Sequence, residues 1–227
     1  MTTAIVLAGG SGTRLGASIP KQFIEVNDKP ILVYTLERFQ CHPMVDSIIV
    51  VCIENWEQTV RDYITQFGIS KIVDVLVGGA SAIDSIRIGV NGSSARNNDI
   101  LVIHDGVRPL VSEKMITDVI QTASHHGAAM SAIPLKEHVF VMDENGIASS
   151  YLPRENGFRS STPQAYQAHI LQKAFNTLGN QPTAYTSTMM IDTGTPLFLS
   201  YGSEINFKIT TKEDIELFNA LILEENK

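Results

Sequence analysis

The sequence predicts an α/β fold built on a doubly wound, mainly parallel sheet. Short apolar runs alternate with stretches of helical period from residue 3 to residue 133, the pattern of strands joined by crossover helices. A glycine-rich turn, Gly9-Gly10-Ser11-Gly12, directly follows the first apolar run. Sheets of this kind bind ligands beyond the carboxyl ends of their strands, where that turn falls.

Taken in order, strands are expected at Thr3–Ala8, Ser47–Cys52, Ile72–Val77, Ile100–His104 and Ala128–Ile133. Helical patterns lie between them near Pro30–Phe39, Trp56–Phe67, Ala82–Val90 and Glu113–Ser124. After Pro134 the rhythm changes, and Leu135–Leu152 alternates like a hairpin turning at Asp143-Glu144-Asn145-Gly146. The stretch at about 135–158 is expected to protrude as a β-arm used for oligomerisation. A helix near Ala165–Leu178, a strand at Leu197–Tyr201 and a helix from Lys212 onward complete the chain. Thr210 or Thr211 suits the last N-cap, with Glu213 and Asp214 in the first turn. All 227 residues are expected to form one domain.

Composition narrows the function. A net charge of −7 without a basic run argues against a nucleic-acid partner. No apolar stretch approaches the roughly 20 residues that span a bilayer. The N-terminus shows no basic and apolar leader, so a cytoplasmic protein is expected. Cys41 and Cys52 lack metal-site spacing and read as buried, reduced thiols. Trp56 is expected to pack, His125-His126 to be solvated, and His104 to support the neighbouring loop through a hydrogen bond.

The glycine turn is the chemical signal. Its backbone N–H groups can approach phosphate oxygens closely. The dinucleotide spacing fails, because Gly10-Ser11-Gly12-Thr13-Arg14-Leu15-Gly16 is one residue too long, and the Gly-Lys-Ser/Thr of a Walker loop is absent. Arg14 and Lys21 reach into the same region, and such a charge pair suits a triphosphate whose negative charge shifts during reaction. A structural glycine turn with surface charges is the alternative. In so acidic a chain, an anionic ligand needs a few placed Lys, Arg and backbone N–H groups, and a divalent cation would help.

The stretch Leu7–Gly16 with Pro20-Lys21-Gln22-Phe23 resembles the signature of small CTP-dependent polyol-phosphate cytidylyltransferases. The likeness continues through Lys29-Pro30-Ile31, Gly78-Gly79, Asp84-Ser85-Ile86, His104-Asp105-Gly106-Val107-Arg108-Pro109, Thr162-Pro163-Gln164 and Asn206-Phe207-Lys208-Ile209-Thr210. It implies a Rossmann-like nucleotidyltransferase fold that joins CTP to a small polyol phosphate as a cytoplasmic homodimer. By the same resemblance, the backbone of Ala8, Gly9, Gly10 and Gly12 and the side chain of Arg14 wrap the phosphates. Lys21 and Lys208 lie at the reacting phosphates, and Gly79, Ala80 and Ser85 line the cytosine pocket. Asp105 binds Mg²⁺ and places the nucleotide, with Gly106 beside the ribose. Asp105, Arg108, His138, Arg154 and Thr162 face the acceptor, and the arm carries Arg154 into the neighbouring subunit's site. As a loop residue, Lys21 is expected to contribute to catalysis and little to stability.

The sequence departs from the family pattern at Ala82, at Glu137-His138, and in Thr183–Met189, which lacks the usual acids. All three positions concern the acceptor side. The Ala-Gly-Gly form of the loop and Pro153-Arg154 lean toward D-ribitol 5-phosphate or a related surface-glycan precursor. 2-C-methyl-D-erythritol 4-phosphate is the alternative acceptor. A UTP- or dTTP-dependent sugar-1-phosphate enzyme and a non-catalytic nucleotide-binding regulator are the other readings.

Overall fold

The computed structural model describes residues 1–10, 19–179 and 181–225. Strands β1 (Thr2–Ala8), β2 (Glu25–Val26) and β3 (Lys29–Pro30) lead into helix α1 (Ile31–Cys41). Then follow β4 (Ser47–Cys52), α2 (Glu57–Gln66), β5 (Ile72–Val77), α3 (Ala82–Gly92), β6 (Ile100–Asp105), α4 (Glu113–His126) and β7 (Ala128–Pro134). The chain continues through β8 (Val139–Met142), β9 (Ala148–Leu152), β10 (Phe158–Gln167), α5 (Ala168–Leu178), α6 (Thr186–Asp192), β11 (Phe198–Tyr201) and α7 (Lys212–Glu225).

Among the described residues, seven strands form the central sheet in the order β11-β7-β10-β6-β1-β4-β5. All run parallel except β10, which is antiparallel to both β6 and β7. β1, β4 and β6 are continuous apolar runs with almost every residue buried, as required of strands covered by helices on both faces. One buried cluster joins alternate residues of β1, β4 and β6 to α1, α2 and α4. The other alternate residues pack against α3, α5 and α6. A third cluster, with Ile31, Val107, Ile209, Phe218 and Ile222, fastens α7 and the segment before it to α1.

Helix ends follow local chemistry. The Ser81 and Ser112 hydroxyls accept from the backbone N–H of Asp84 and Met115 to start α3 and α4. α4 stops at Gly127, whose φ of 93° is open to glycine but strained for other residues. Thr211 caps α7: its hydroxyl accepts from the Asp214 N–H at 3.4 Å, and the Asp214 carboxylate accepts from the Thr211 N–H at 2.8 Å.

The structure corrects several expectations. Residues 165–167 belong to β10, and α5 begins at Ala168. Strand β10 is hard to recognise because its polar residues Ser161, Thr162 and Gln164 are buried, so inward and outward positions do not alternate in polarity. Helix α6 is too short to show a clear period. Cys41 is exposed at the end of α1, whereas Cys52 is buried in β4. His125 and His126 are exposed, as expected, and His126 also stacks on Phe198 with ring centroids 4.1 Å apart. Trp56 does pack, stacked on Phe23 at 4.2 Å.

Among the described residues, the hairpin β8–β9 pairs only with itself. Asp143 accepts from the N–H groups of Asn145 and Ile147, and Gly146 takes φ 81°, which sets the turn. Every residue of both strands is exposed, including Phe140, Met142 and Tyr151.

Candidate active site

Strand order changes direction around β1. The chain moves from β1 outward to β4 and β5, then returns to lay β6 on the other side. The crevice at such a switch point is the usual ligand site of an open α/β sheet. Here Leu7 of β1 stands beside Asp105 of β6, and Ala8 beside Cys52 of β4. A cleft of about 380 Å³ opens there. Its walls include Leu7 to Gly10, Lys21, Gln22, Gly79 to Ala82, Ser85, Asp105, Lys208 and Thr210.

Each wall has a local cause. Gln22 donates to the Ala8 carbonyl, at the end of β1, at 2.6 Å. Its neighbour Lys21 is only 7 % exposed, and its Nζ donates to the Ile209 carbonyl at 2.8 Å. Lys21 therefore ties the first loop to the segment before α7, 188 residues away. Against the expectation that a loop lysine adds little to stability, this buried contact gives Lys21 a structural role as well. On the opposite wall, the Gly79 N–H donates to Ser85 Oγ at 3.1 Å, and that hydroxyl donates to the Ser81 carbonyl at 3.0 Å. A side chain at Gly79 would come within 2.5 Å of Asp84 Cβ, so glycine permits this turn to press against α3. Ala82 leaves the start of α3 open where the resemblance predicts an arginine.

Asp105 is the electrostatic centre. Its Oδ2 accepts from Arg108 Nε at 2.8 Å and its Oδ1 from Lys208 Nζ at 3.2 Å. Burial pushes this carboxyl up, but the charges of Lys208 and Arg108 outweigh that effect and hold it below the usual carboxylate value. The Asp105 N–H donates to Thr162 Oγ1 at 3.2 Å. Arg108 also donates to the Asn206 carbonyl, and Asn206 Nδ2 donates to the Thr162 carbonyl. His104, fully buried, hydrogen-bonds through Nε2 to the Arg108 carbonyl at 3.2 Å. Since a carbonyl only accepts, the proton sits on Nε2. Burial pulls the His104 pKa down to about 4, so the ring is neutral at pH 7.

The structure brings Ala8, Gly9, Gly10, Lys21, Gly79, Ala80, Ser85, Asp105 and Lys208 to one cleft. Gly12 and Arg14 lie outside the described residues. Gly106, Arg108 and Thr162 stand behind the lining. The Gly106 N–H donates to the Leu7 carbonyl, and its carbonyl accepts from Thr35. His138 and Arg154 are not brought to this cleft within one chain. Both are exposed on the arm, His138 against the Tyr151 ring and Arg154 paired with Glu155 at 3.1 Å. Gln22 and Asn206 also shape the site, through partners distant in sequence at Ala8 and Thr162 that no local signal reveals, whereas Thr210 of the cleft wall bonds its near neighbours Lys208 and Asp214.

Residues 2–224 match the family described as IspD, 2-C-methyl-D-erythritol 4-phosphate cytidylyltransferase. The chain belongs to this family. It is a cytidylyltransferase, and its relatives differ in the acceptor they are named for. The ribitol-5-phosphate cytidylyltransferase of Lacticaseibacillus paracasei is 43% identical over 232 residues, covering 99% of both chains. The 2-C-methyl-D-erythritol 4-phosphate cytidylyltransferase of Syntrophus aciditrophicus is 37% identical, covering 98% of this chain and 96% of that one. The fold agrees with the crystal structure of 4-diphosphocytidyl-2C-methyl-D-erythritol synthase from Anaerococcus prevotii, with a TM-score of 0.86 at 23% identity and 98% coverage of both chains. The cytidylyltransferase fold is thus a mostly parallel sheet flanked by helices, as the sequence predicts.

Proposed function

We propose that this cytidylyltransferase transfers CMP from CTP to D-ribitol 5-phosphate, releasing pyrophosphate, as a cytoplasmic homodimer that uses Mg²⁺. The observation that carries the reading is the convergence of Lys21 and Lys208 on a glycine-walled cleft at the switch point, with Asp105 at the end of β6 beside Leu7. The relative named for ribitol 5-phosphate, at 43% identity, favours that acceptor. The relative at 37% identity supports 2-C-methyl-D-erythritol 4-phosphate as the second reading.

The chemistry needs no activated serine or histidine. A phosphomonoester has a second pKa of about 6 and is already dianionic near neutrality. The obstacle is bringing one anion onto another. In the proposed step an acceptor phosphate oxygen attacks the α-phosphorus in line as the bond to the pyrophosphate oxygen breaks. Lys21 and Lys208 balance the charge that builds on both sides. The Gly79–Ser85 wall holds the base through backbone groups.

Mg²⁺ binds through one or two carboxylates together with substrate phosphates. A single buried carboxylate, Asp105, at the foot of a phosphate-sized cleft fits that donor set. When bound, the ion would neutralise phosphate charge. Asp105 is the residue that would hold it, once Oδ1 is released from Lys208.

The arm supports the dimer reading. Phe140, Met142 and Tyr151 expose apolar surface on a hairpin that, among the described residues, pairs with no other sheet. Docked on a second copy, the hairpin would bury these groups and carry Arg154 and His138 to the neighbour's acceptor side. The absence among the described residues of any helix long and apolar enough to cross a membrane is compatible with the proposed location.

Pyrophosphate release, screened with four nucleoside triphosphates and a panel of polyol phosphates plus Mg²⁺, tests the proposal. CTP with ribitol 5-phosphate should give the highest kcat/KM. Preference for methylerythritol phosphate would select the second reading, and CTP binding without turnover of any acceptor would mark a regulator. Protein labelled covalently by CTP would contradict direct displacement.

A further inference from the structure

Helix α1 buries Ile31, Leu32, Val33, Leu36 and Phe39, and Thr35 stands fully buried among them. Threonine is a poorer helix former than leucine, and a buried hydroxyl is unfavourable without a partner. The partner lies on the turn after β6. Thr35 Oγ1 donates to the Gly106 carbonyl at 2.9 Å, across 71 residues of chain. From the sheet side, the Gly106 N–H donates to the Leu7 carbonyl at 2.8 Å. Gly106 is thus held through both of its backbone groups, by β1 and by α1. The fit is close, because a methyl at Gly106 would stand 2.9 Å from Leu32 Cδ1, one turn before Thr35. Asp105 and Arg108 flank this fixed point, and their 2.8 Å ion pair spans it.

Thr35 begins a ridge. Arg38 and His42 follow at intervals of three and four residues, which sets all three on one side of α1. Arg38 Nε donates to the Pro109 carbonyl at 3.4 Å, and His42 Nε2 lies 3.0 Å from Thr117 Oγ1 and 3.3 Å from the Glu113 carbonyl. The start of α1 is tied to the loop that carries Lys21. The Ile31 N–H donates to the Ile24 carbonyl at 3.0 Å, and the Ile24 N–H to the Lys21 carbonyl at 3.2 Å. One helix therefore anchors both the Lys21 loop and the Asp105 turn. We propose that Thr35 is a positioning residue for the transfer, its hydroxyl fixing the Asp105–Arg108 turn so that Asp105 and Lys21 keep their spacing across the cleft. It acts through Gly106 and not on substrate. This inference rests on the proposed part of Asp105 in the reaction.

Thr35→Val keeps the shape of the side chain and removes the hydroxyl. The Gly106 carbonyl then loses this donor in a buried setting, so the melting midpoint should fall by roughly 2–12 °C. Measured well below that midpoint, kcat should fall by about tenfold to hundredfold, the effect of a small misplacement at the reacting centre. The KM for CTP should stay within about threefold, because the Gly79–Ser85 wall is braced by α3. Thr35→Ser keeps the hydroxyl and should hold kcat within about threefold of the unaltered chain. Crystal structures of both variants give a readout that needs no substrate. The Asp105 carboxylate should move by more than about 0.5 Å in Thr35→Val and stay in place in Thr35→Ser. A merely structural role would lower the midpoint and leave kcat within about twofold, which would overturn the inference. So would a Thr35→Ser variant as impaired as Thr35→Val, or an unmoved Asp105 in Thr35→Val. If the unaltered chain turns over no acceptor, the proposed function fails, and the position of Asp105 in the two variants still decides what Thr35 holds.

Discussion

Replacing Lys21 by methionine separates its two roles. Methionine preserves most of the packed stem and removes the ammonium, so no large cavity forms. The Ile209 carbonyl then loses the donor that lies 2.8 Å away in a buried setting. A hydrogen bond to a charged group contributes about 1.5–3 kcal/mol. In a chain of this size each kcal/mol moves the midpoint by about 2–4 °C, which gives an expected fall of roughly 3–12 °C. Catalysis should suffer more. Loss of a preorganised charge aimed at the developing anion lowers kcat by about 10²–10³-fold. Scanning calorimetry reads the first effect, and pyrophosphate release well below the variant's own midpoint reads the second. If the folded variant keeps kcat within tenfold of the unaltered chain, Lys21 is only a structural tie. An unchanged midpoint would remove the Ile209 contact from the account of stability.

Gly106→Ala should destabilise by about 1–3 kcal/mol, because the new methyl would stand 2.9 Å from both the Leu7 carbonyl oxygen and Leu32 Cδ1. A denaturant midpoint equal to the unaltered chain's would refute that. Phe140→Glu with Met142→Glu, at positions 65 % and 70 % exposed in one chain, should shift the light-scattering mass from a dimer to the 24.9 kDa monomer. An unchanged dimer would move the interface off the arm. Burial holds the pKa of both His42 and His104 below the ordinary 6.5. Their neutral forms are favoured in the folded chain, so their contribution to stability is full above pH 6.5 and is lost as pH falls. The His104 part continues to decline toward about pH 4. Melting midpoints across that range should drop less steeply in His42→Gln than in the unaltered chain.

Much of this protein was legible in the chain because its signals are local. Continuous apolar runs marked β1, β4 and β6, Asp143 to Gly146 marked the hairpin turn, and the spacing of Gly10 to Gly16 excluded a dinucleotide loop. The ordered motifs pointed to the family and to most of the residues that meet at the cleft. What the sequence could not decide involves partners far apart in the chain. Lys21 became a buried tie only because Ile209 is brought beneath it by the packing of α7 on α1. Strand β10 stayed hidden because its buried Gln164 and Thr162 depend on residues distant in sequence, Thr186, Asn206 and the Asp105 backbone, as well as on near neighbours. Nothing in the sequence showed which cations would meet Asp105. Tertiary structure surrounded it with Arg108 and Lys208. Propensity and periodicity act over a few residues, whereas charge and desolvation depend on which side chains the sheet order brings together.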